Sequence, residues 1–138
     1  MKQQIFIDTD VFLDTILARS PHFEHSQHII NLCEQNIIDG NTSSLVMANI
    51  YYIIQKLSDR HKAKDAINKI SSFINILPFT DKEIKAALHS EFKDFEDAAQ
   101  YFIAQNHKID FFITRNIRDF KKTPMALFTP KEFLKTLE

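Results

Sequence analysis

Three aspartates along this chain could together bind a divalent cation. Asp8 directly follows the apolar run Ile5–Ile7, Asp97 lies in the first turn of a predicted helix, and Asp119 follows the run Phe111–Thr114. Carboxylates repel one another, so a fold that gathers several of them usually holds a cation there. Oxygen ligands favour hard ions such as Mg²⁺ or Mn²⁺. Such a site can activate water and stabilise charge on a phosphodiester under attack, which predicts metal-dependent hydrolysis.

Further acids flank these three aspartates. Asp94 and Glu96 precede Asp97, and Asp10 follows Asp8. Helix capping explains Asp94 and Glu96 equally well, because an N-cap carboxylate and acids in the first turn complement the helix dipole. Asp10 could instead bond the backbone of its own turn. We therefore predict that Asp94 or Glu96 assists the water and that Asp10 and Glu96 support the pocket, with helix capping as the alternative for Asp94 and Glu96.

Asn49 is a polar residue on the predicted buried stripe of a helix, whose other members are Val46, Ile50, Ile53 and Leu57. Burying an amide costs free energy unless the amide is hydrogen-bonded. Its side chain is therefore either bonded to backbone as a structural group or turned with its carbonyl oxygen towards the acidic site. The sequence leaves these two alternatives open.

Short apolar runs alternate with amphipathic stretches and must position these side chains. Strands are predicted at Ile5–Ile7, up to Thr42–Ser44, at Ile74–Leu77, at Phe111–Thr114 and at Met125–Phe128. Helices are predicted over Val11–Leu17, Pro21–Glu34 (with Ser20 as its N-cap), Ser44–Leu57, His61–Phe73, Thr80–Ser90, from the acidic segment Phe92–Asp97 to His107, and after Thr129. Alternation of this kind predicts one α/β domain over residues 1–138, a three-layer α/β/α sandwich on a mostly parallel sheet of four to five strands. In such sheets the carboxyl ends of the strands carry the ligand site, which is where Asp8 falls.

Composition excludes several classes of function. A single glycine cannot supply either Gly-rich phosphate loop, and no serine lies in a G-x-S-x-G elbow. Net charge is −1, so nucleic acid would have to be bound by a local basic patch. Cys33 is the single cysteine and is predicted to be a buried apolar residue. The absence of an 18-residue apolar run and of a leader-like N-terminus predicts no membrane contact and a cytoplasmic protein.

Three motifs together resemble the PIN domain family: Ile5–Val11, Asp94–Ala98 and Thr114–Phe120. The last of them resembles the VapC-type toxin branch in particular. This resemblance implies an α/β/α sandwich and a metal-dependent ribonuclease with Mg²⁺ or Mn²⁺ at a carboxylate cluster. It maps the family's metal-binding acids onto Asp8, Asp97 and Asp119, and it places Thr114 and Asn116 in the pocket.

The resemblance has one departure and two further implications. The family's second acid lies on the helix after strand two, where this chain has Asn49, and losing that charge should weaken metal binding unless a neighbouring acid compensates. VapC-like proteins are held inactive by a small antitoxin and form homodimers. The same two partners are therefore expected for this chain.

Basic residues surround the last acidic loop: Arg115, Arg118 and Lys121. They are either a solvated surface or phosphate-binding groups that position RNA without reading its bases. The leading hypothesis is a metal-dependent endoribonuclease for single-stranded or looped RNA, the toxin of a toxin–antitoxin pair. A catalytically impaired PIN-like binding or regulatory module is the alternative. A phosphotransfer enzyme of the haloacid dehalogenase type, or a phospho-acceptor receiver domain, is a third.

Overall fold

The structure is a computed structural model that describes residues 2–120 and 123–138, apart from the side chain of Asp119. The strands are β1 Gln4–Ile7, β2 Asp39–Ser43, β3 Asn75–Leu77, β4 Phe111–Ile113 and β5 Ala126–Phe128. The helices are α1 Thr9–Ile16, α2 Phe23–Glu34, α3 Ser44–Leu57, α4 Arg60–Ser71, α5 Asp81–Leu88, α6 Phe95–Asn106 and α7 Pro130–Thr136. A 3-10 turn, Ile117–Phe120, follows β4.

The five strands form one parallel sheet in the order β3-β2-β1-β4-β5. From β1 the chain moves outwards through β2 to β3, then crosses back to β4 on the other side of β1. The order therefore reverses at β1, and the carboxyl ends of β1 and β4 flank the crevice where open α/β sheets bind ligands. The predicted parallel α/β sheet is confirmed.

Helices cover the sheet in two groups. Helix α1 packs on α2 and α3, α2 packs on α7, and α3 packs on α4, whereas α5 and α6 pack on each other. Right-handed crossovers place these two groups on opposite faces, which gives the predicted sandwich. Between the layers, the rings of Phe6 and Phe112 stack with their centroids 4.9 Å apart. In the described part of the chain no helix is long and apolar enough to cross a membrane.

Gly40 in β2 lies where helix α2 and Ile74 approach the sheet most closely. A Cβ atom there would lie 2.6 Å from Cys33 Sγ and 2.6 Å from Ile74 Cδ1. Space rather than backbone conformation therefore requires glycine at this position. Cys33 is buried as predicted, and burial raises the pKa of its thiol to about 12, so it remains a protonated core residue.

Two local predictions are wrong. Helix α2 begins at Phe23, with His22 as its N-cap, rather than at Pro21. The Phe23 N–H donates to Arg19 O at 2.8 Å and closes a turn over residues 19–23, so the helix starts after this turn. Leu57 is 66 % exposed although the periodicity places it on the buried stripe, because it is the last residue of α3.

Candidate active site

Asp8 joins the end of β1 to the start of α1. Its side chain caps α1, with Oδ1 accepting from the Thr9 N–H at 2.8 Å. Oδ2 accepts from the Thr114 hydroxyl, also at 2.8 Å. The Asp8 N–H donates to Ile113 O at 3.0 Å, which fixes the residue to the end of β4. The carboxylate is thus held from both central strands and is only 8 % exposed.

Burial raises the pKa of Asp8 from its ordinary 3.8 to about 6. The hydrogen bonds from Thr114 and Thr9 favour the charged form and oppose this rise, whereas the charges of Asp10 and Glu96 add to it. A carboxylate of this kind is ionised at neutral pH at a cost in free energy. A cation beside it would remove that cost.

A cleft of about 390 Å³ opens in front of Asp8. Seven of the residues predicted for the site line it: Asp8, Asp10, Asn49, Asp94, Glu96, Asp97 and Asn116. They come from β1 and α1, from α3, from α6 and from the loop after β4. The structure therefore brings together side chains that are far apart in the sequence, as the strand-end argument predicts.

Asn49 contacts Glu96 across this cleft. Its Nδ2 donates to Glu96 Oε1 in a short hydrogen bond, so the amide is bonded to an acid of the site and the predicted alternative of a backbone-bonded structural amide is wrong. Partial burial and the neighbouring charge of Asp94 raise the pKa of Glu96, whereas the Asn49 hydrogen bond lowers it. Asn49 therefore favours the ionised form of Glu96 and holds it at the edge of the cleft.

Asp94 caps α6 and also lines the cleft, and its assistance to the water stays a prediction. Its Oδ1 accepts from the Asp97 N–H at 2.9 Å and caps α6, as the capping interpretation predicts. The same side chain also lines the cleft. Asp97, one turn into α6, is half-buried and lines the cleft as well. Capping therefore positions Asp94 beside Asp97 at the mouth of the site.

Two predicted residues are not described in atomic terms. The side chain of Asp119 and the whole of Lys121 lie outside the described residues. Among the side chains that are described, no three His, Cys, Asp or Glu residues form a group that could hold a metal ion. The trio of Asp8, Asp97 and Asp119 therefore stays a prediction.

The loop after β4 closes one side of the cleft. Thr114 is fully buried behind Asp8 and supports that carboxylate instead of lining the cleft. The Asn116 N–H donates to Thr114 Oγ1 at 3.1 Å, and Asn116 Nδ2 lies 3.5 Å from Asp10 Oδ2. Asn116 thus faces the cleft, as predicted, and contacts the acid that follows Asp8 in α1.

Arg115 forms an ion pair with an acid of α1. Its Nε lies 2.9 Å from Oδ2 of Asp14, a fully buried residue. The Arg115 side chain is 25 % exposed, and its RNA-binding role stays a prediction. Arg118, by contrast, is exposed.

A second cleft of about 640 Å³ adjoins the first and shares Asp94 and Asp97 with it. Its apolar wall is made by Phe92, Tyr101 and Phe120, whose rings pack together with centroids 5.4 and 5.7 Å from that of Phe92. Lys93 and Arg118 also line it, and both are exposed. The acidic cleft therefore continues into a space with aromatic and basic walls.

Sequence reasoning did not assign four residues of the acidic cleft to the site, among them Tyr52 and Gln100. Each of these two lies three positions after a residue that was predicted, Asn49 in α3 and Asp97 in α6, and residues so spaced share a helix face. Gln100 Oε1 accepts from the hydroxyl of Ser43, the N-cap of α3, at 2.6 Å. Helical spacing is the signal that would have found both residues.

The fold and the site together define a class of protein: a parallel α/β sandwich with acidic side chains at the sheet edge where the strand order reverses. A PIN domain family model matches residues 4–118, and the chain belongs to the PIN domain family.

Individual relatives agree with this assignment. The chain is 27 % identical to Ribonuclease VapC1 of Aquifex aeolicus (strain VF5) over 136 residues, 95 % of this chain and 93 % of that protein. Its fold is similar to DNA-bound VapBC from Salmonella typhimurium, with a TM-score of 0.70, 16 % identity and coverage of 93 % and 98 % of the two chains. VapBC2 from Rickettsia felis, bound to a promoter DNA fragment, gives a TM-score of 0.69 at 18 % identity, covering 91 % and 97 %.

Proposed function

We propose that this chain is a divalent-metal-dependent endoribonuclease that hydrolyses RNA phosphodiester bonds, and that it is the toxin of a toxin–antitoxin pair in the cytoplasm. The observation that carries the proposal is the cleft in which Asp8, Asp94, Glu96 and Asp97 converge. Family membership and the similarity to a protein named as a ribonuclease support the same activity.

The residues present fit Mg²⁺ or Mn²⁺. The described side chains that line the cleft offer carboxylate and amide oxygens without sulfur or imidazole, which suits hard cations. The raised pKa of Asp8 supports this fit, because the hydrogen bonds from Thr114 and Thr9 offset only part of the effect of burial. Asp8 and Asp97, with Asp119, would hold the ion. A bound ion would supply a polarised water and neutralise charge on the phosphate.

The remaining acids would handle water and its proton. Asp94 and Glu96 lie on the α6 side of the cleft, opposite Asp8. The pKa of Glu96 is raised, so this carboxylate is a better proton acceptor than an ordinary glutamate. Asn49 orients it by donating to Oε1. In this proposal Glu96 supplies the acidic group that the family has at the position of Asn49.

The adjoining cleft would receive the RNA on one side of the scissile phosphate. Arg118 and Lys93 can contact backbone phosphates without reading the sequence. The half-buried ring of Phe92 offers an apolar surface to an unpaired base. In this proposal Lys93 joins Arg118 as a phosphate-binding residue, and the roles of Arg115 and Lys121 stay predictions.

A small antitoxin and a second copy of the chain are the proposed protein partners. Three of the similar structures are described as VapBC or toxin–antitoxin complexes. Large apolar side chains are exposed on three of the described helices: Tyr52 and Leu57 on α3, Ile84 and Leu88 on α5, and Phe95 on α6. Light scattering of the purified chain, alone and with the product of an adjacent short reading frame, would test both partners.

A cleavage assay tests the proposed activity. Purified protein should cleave single-stranded RNA with Mg²⁺ or Mn²⁺, lose activity in EDTA and regain it when the ion is restored. Asp8→Asn should abolish cleavage while the circular dichroism spectrum is unchanged. Asp65→Asn is the matched control, because Asp65 is an exposed residue of α4 outside the cleft. Full activity of the Asp8 variant would refute the assignment.

Asn49 supports one alternative function, a PIN-domain module that binds partners or RNA but no longer cleaves. The amide in place of an acid removes one negative charge from the cleft. A titration that shows no Mn²⁺ binding at millimolar concentration, together with retained RNA binding, would favour this module. Mn²⁺ binding that is lost in Asp8→Asn would favour the nuclease.

A further inference from the structure

Asp14 is a buried acid to which neither the sequence patterns nor the proposed reaction gives a role. It lies on α1, two turns after the cap residue Asp8, and is 0 % exposed. Its Oδ2 is 2.9 Å from Arg115 Nε, and its Oδ1 is 3.9 Å from Arg19 Nε. Within the described residues neither carboxylate oxygen makes a hydrogen bond of good geometry, so opposite charge holds the group in place.

A contribution to stability is not a sufficient reason for a buried ion pair such as Asp14–Arg115. Removing charges from water costs several kcal/mol, and a pair of apolar residues of similar volume is often as stable or more so. Burial raises the pKa of Asp14, and the charges of Arg115, His22 and Arg19 only partly offset this. The ion pair is therefore better explained by a role in positioning the segments that it joins, the loop after β4 and helix α1.

Arg115 lies between the two residues that connect the loop after β4 to the acids of α1. Thr114, before it, donates to Asp8 Oδ2 at 2.8 Å. Asn116, after it, donates its N–H to Thr114 Oγ1 at 3.1 Å and has its Nδ2 3.5 Å from Asp10 Oδ2. A guanidinium group anchored on Asp14 therefore fixes the middle of this three-residue loop to the same helix that presents Asp8 and Asp10.

We propose that Asp14 is a positioning residue that acts through Arg115: the buried pair clamps loop 114–116 onto α1 and so sets the orientation of the Asp8 carboxylate and of Asn116. This inference rests on the proposed function in one respect, that the groups being positioned bind a divalent cation. The clamp itself is a property of the metal-free protein. The two parts can therefore be tested separately.

The decisive variant replaces both charges by apolar residues of similar size, Asp14→Leu/Arg115→Met. Hydrogen exchange of the Asn116 N–H in EDTA reports the loop without any metal, and a Mn²⁺ titration followed by water proton relaxation reports the site. We expect exchange at Asn116 to accelerate at least ~10-fold and Mn²⁺ affinity to fall ~10- to 100-fold, as for other groups that orient metal ligands. The melting temperature should change little.

The exposed pair Asp81–Lys85, with N and O atoms 3.5 Å apart, is the matched control, and its replacement by Asp81→Ala/Lys85→Ala should alter neither readout. A folded Asp14→Leu/Arg115→Met protein with normal exchange at Asn116 and normal Mn²⁺ affinity would overturn the clamp. If wild-type protein binds no Mn²⁺, the proposed function fails, and Asn116 exchange alone decides the clamp.

If the double variant does not fold, a comparison of two single variants tests the clamp. Arg115→Gln and Arg19→Gln each remove one cation from the same carboxylate and leave a side chain that can donate to it. Only Arg115 belongs to the loop, so only Arg115→Gln should accelerate exchange at Asn116. Equal effects of the two substitutions would show a structural role alone and would overturn the proposal.

Discussion

Thr114 Oγ1 donates a 2.8 Å hydrogen bond to Asp8 Oδ2 and so joins two residues that are 106 positions apart in the chain. Both side chains are buried, at the adjoining carboxyl ends of β4 and β1. A hydrogen bond to a charged group is worth about 1.5–3 kcal/mol. Here it lowers the pKa of Asp8 against the effect of burial. The pKa of Asp8, which follows β1, therefore depends on Thr114, which follows the neighbouring strand β4.

Thr114→Val should raise the pKa of Asp8 above 6, because valine keeps the shape of the side chain but cannot donate. Ionised Asp8 is the form that binds a cation, so Mn²⁺ affinity at pH 6–7 should fall ~10-fold. Carboxyl ¹³C chemical shifts followed over pH would measure the pKa directly. Thr114→Ser keeps the hydroxyl and should behave as wild type. An unchanged Asp8 pKa in the valine variant would show that the hydrogen bond does not form.

Asp8 should also make the metal-free protein less stable as the pH rises. Below pH 3.8 the Asp8 carboxyl is protonated in both the folded and the unfolded protein, so it does not change the free energy of unfolding. Between 3.8 and about 6 the unfolded chain ionises first, so the free energy of unfolding falls, and above 6 it is constant. A pKa raised from 3.8 to about 6 corresponds to about 3 kcal/mol, at about 1.4 kcal/mol per pKa unit.

Asp8→Asn removes this titration and keeps a side chain that can cap α1. In EDTA, its free energy of unfolding relative to wild type should therefore rise between pH 4 and 6 by up to about 3 kcal/mol and then level off. Urea denaturation at four or five pH values would measure the difference. Asp65→Asn, at an exposed position of α4, is the matched control. If the difference in free energy of unfolding between Asp8→Asn and wild type did not change with pH, the pKa of Asp8 would not be raised in the folded protein.

Gly40→Ala should destabilise the sheet without touching the acidic cleft. The added Cβ would lie 2.6 Å from Cys33 Sγ and from Ile74 Cδ1, so the core must shift, at a cost of about 1–3 kcal/mol. Cys33→Ala should lower the cost of the glycine substitution when the two are combined, because it removes one of the two clashing atoms. Additive effects of the two changes in urea denaturation would contradict this packing.

Local patterns were sufficient to predict the sheet and most of the cleft. Asp8 follows an apolar run that forms β1, and Asp94 has the position of a helix cap, so both could be located from their neighbours in sequence. Parallel strands bring their carboxyl ends to one edge, which agrees with the position of Asn116, but Asn116 was assigned to the pocket only by the resemblance to the PIN domain family.

The rest of the site depends on contacts between distant segments. Nothing near Asp14 in the sequence distinguishes it from an exposed acid on α1, and its partner Arg115 is 101 positions away by residue number, so the ion pair could not be predicted. For the same reason Arg115 was interpreted as a surface residue. Asn49 was recognised as unusual, but its bond to Glu96 requires α3 and α6 to meet across the cleft.

The contact between Asn49 and Glu96 predicts that the two residues act as a unit. Asn49→Ala should leave Glu96 less well oriented and its pKa higher, and cleavage should slow ~10-fold. Glu96→Gln should slow cleavage at least as much, because the proton acceptor is lost.

A double-mutant cycle on the cleavage rate distinguishes this unit from two independent residues. If Asn49 acts by holding the Glu96 carboxylate, Asn49→Ala should have little further effect once Glu96 is glutamine, so the two effects should be far from additive. Asn106→Ala is the control, since Asn106 lies at the other end of α6 and donates to Glu83. It should combine additively with Glu96→Gln. Additive effects of Asn49→Ala and Glu96→Gln would instead assign Asn49 a contact of its own with the substrate or the ion.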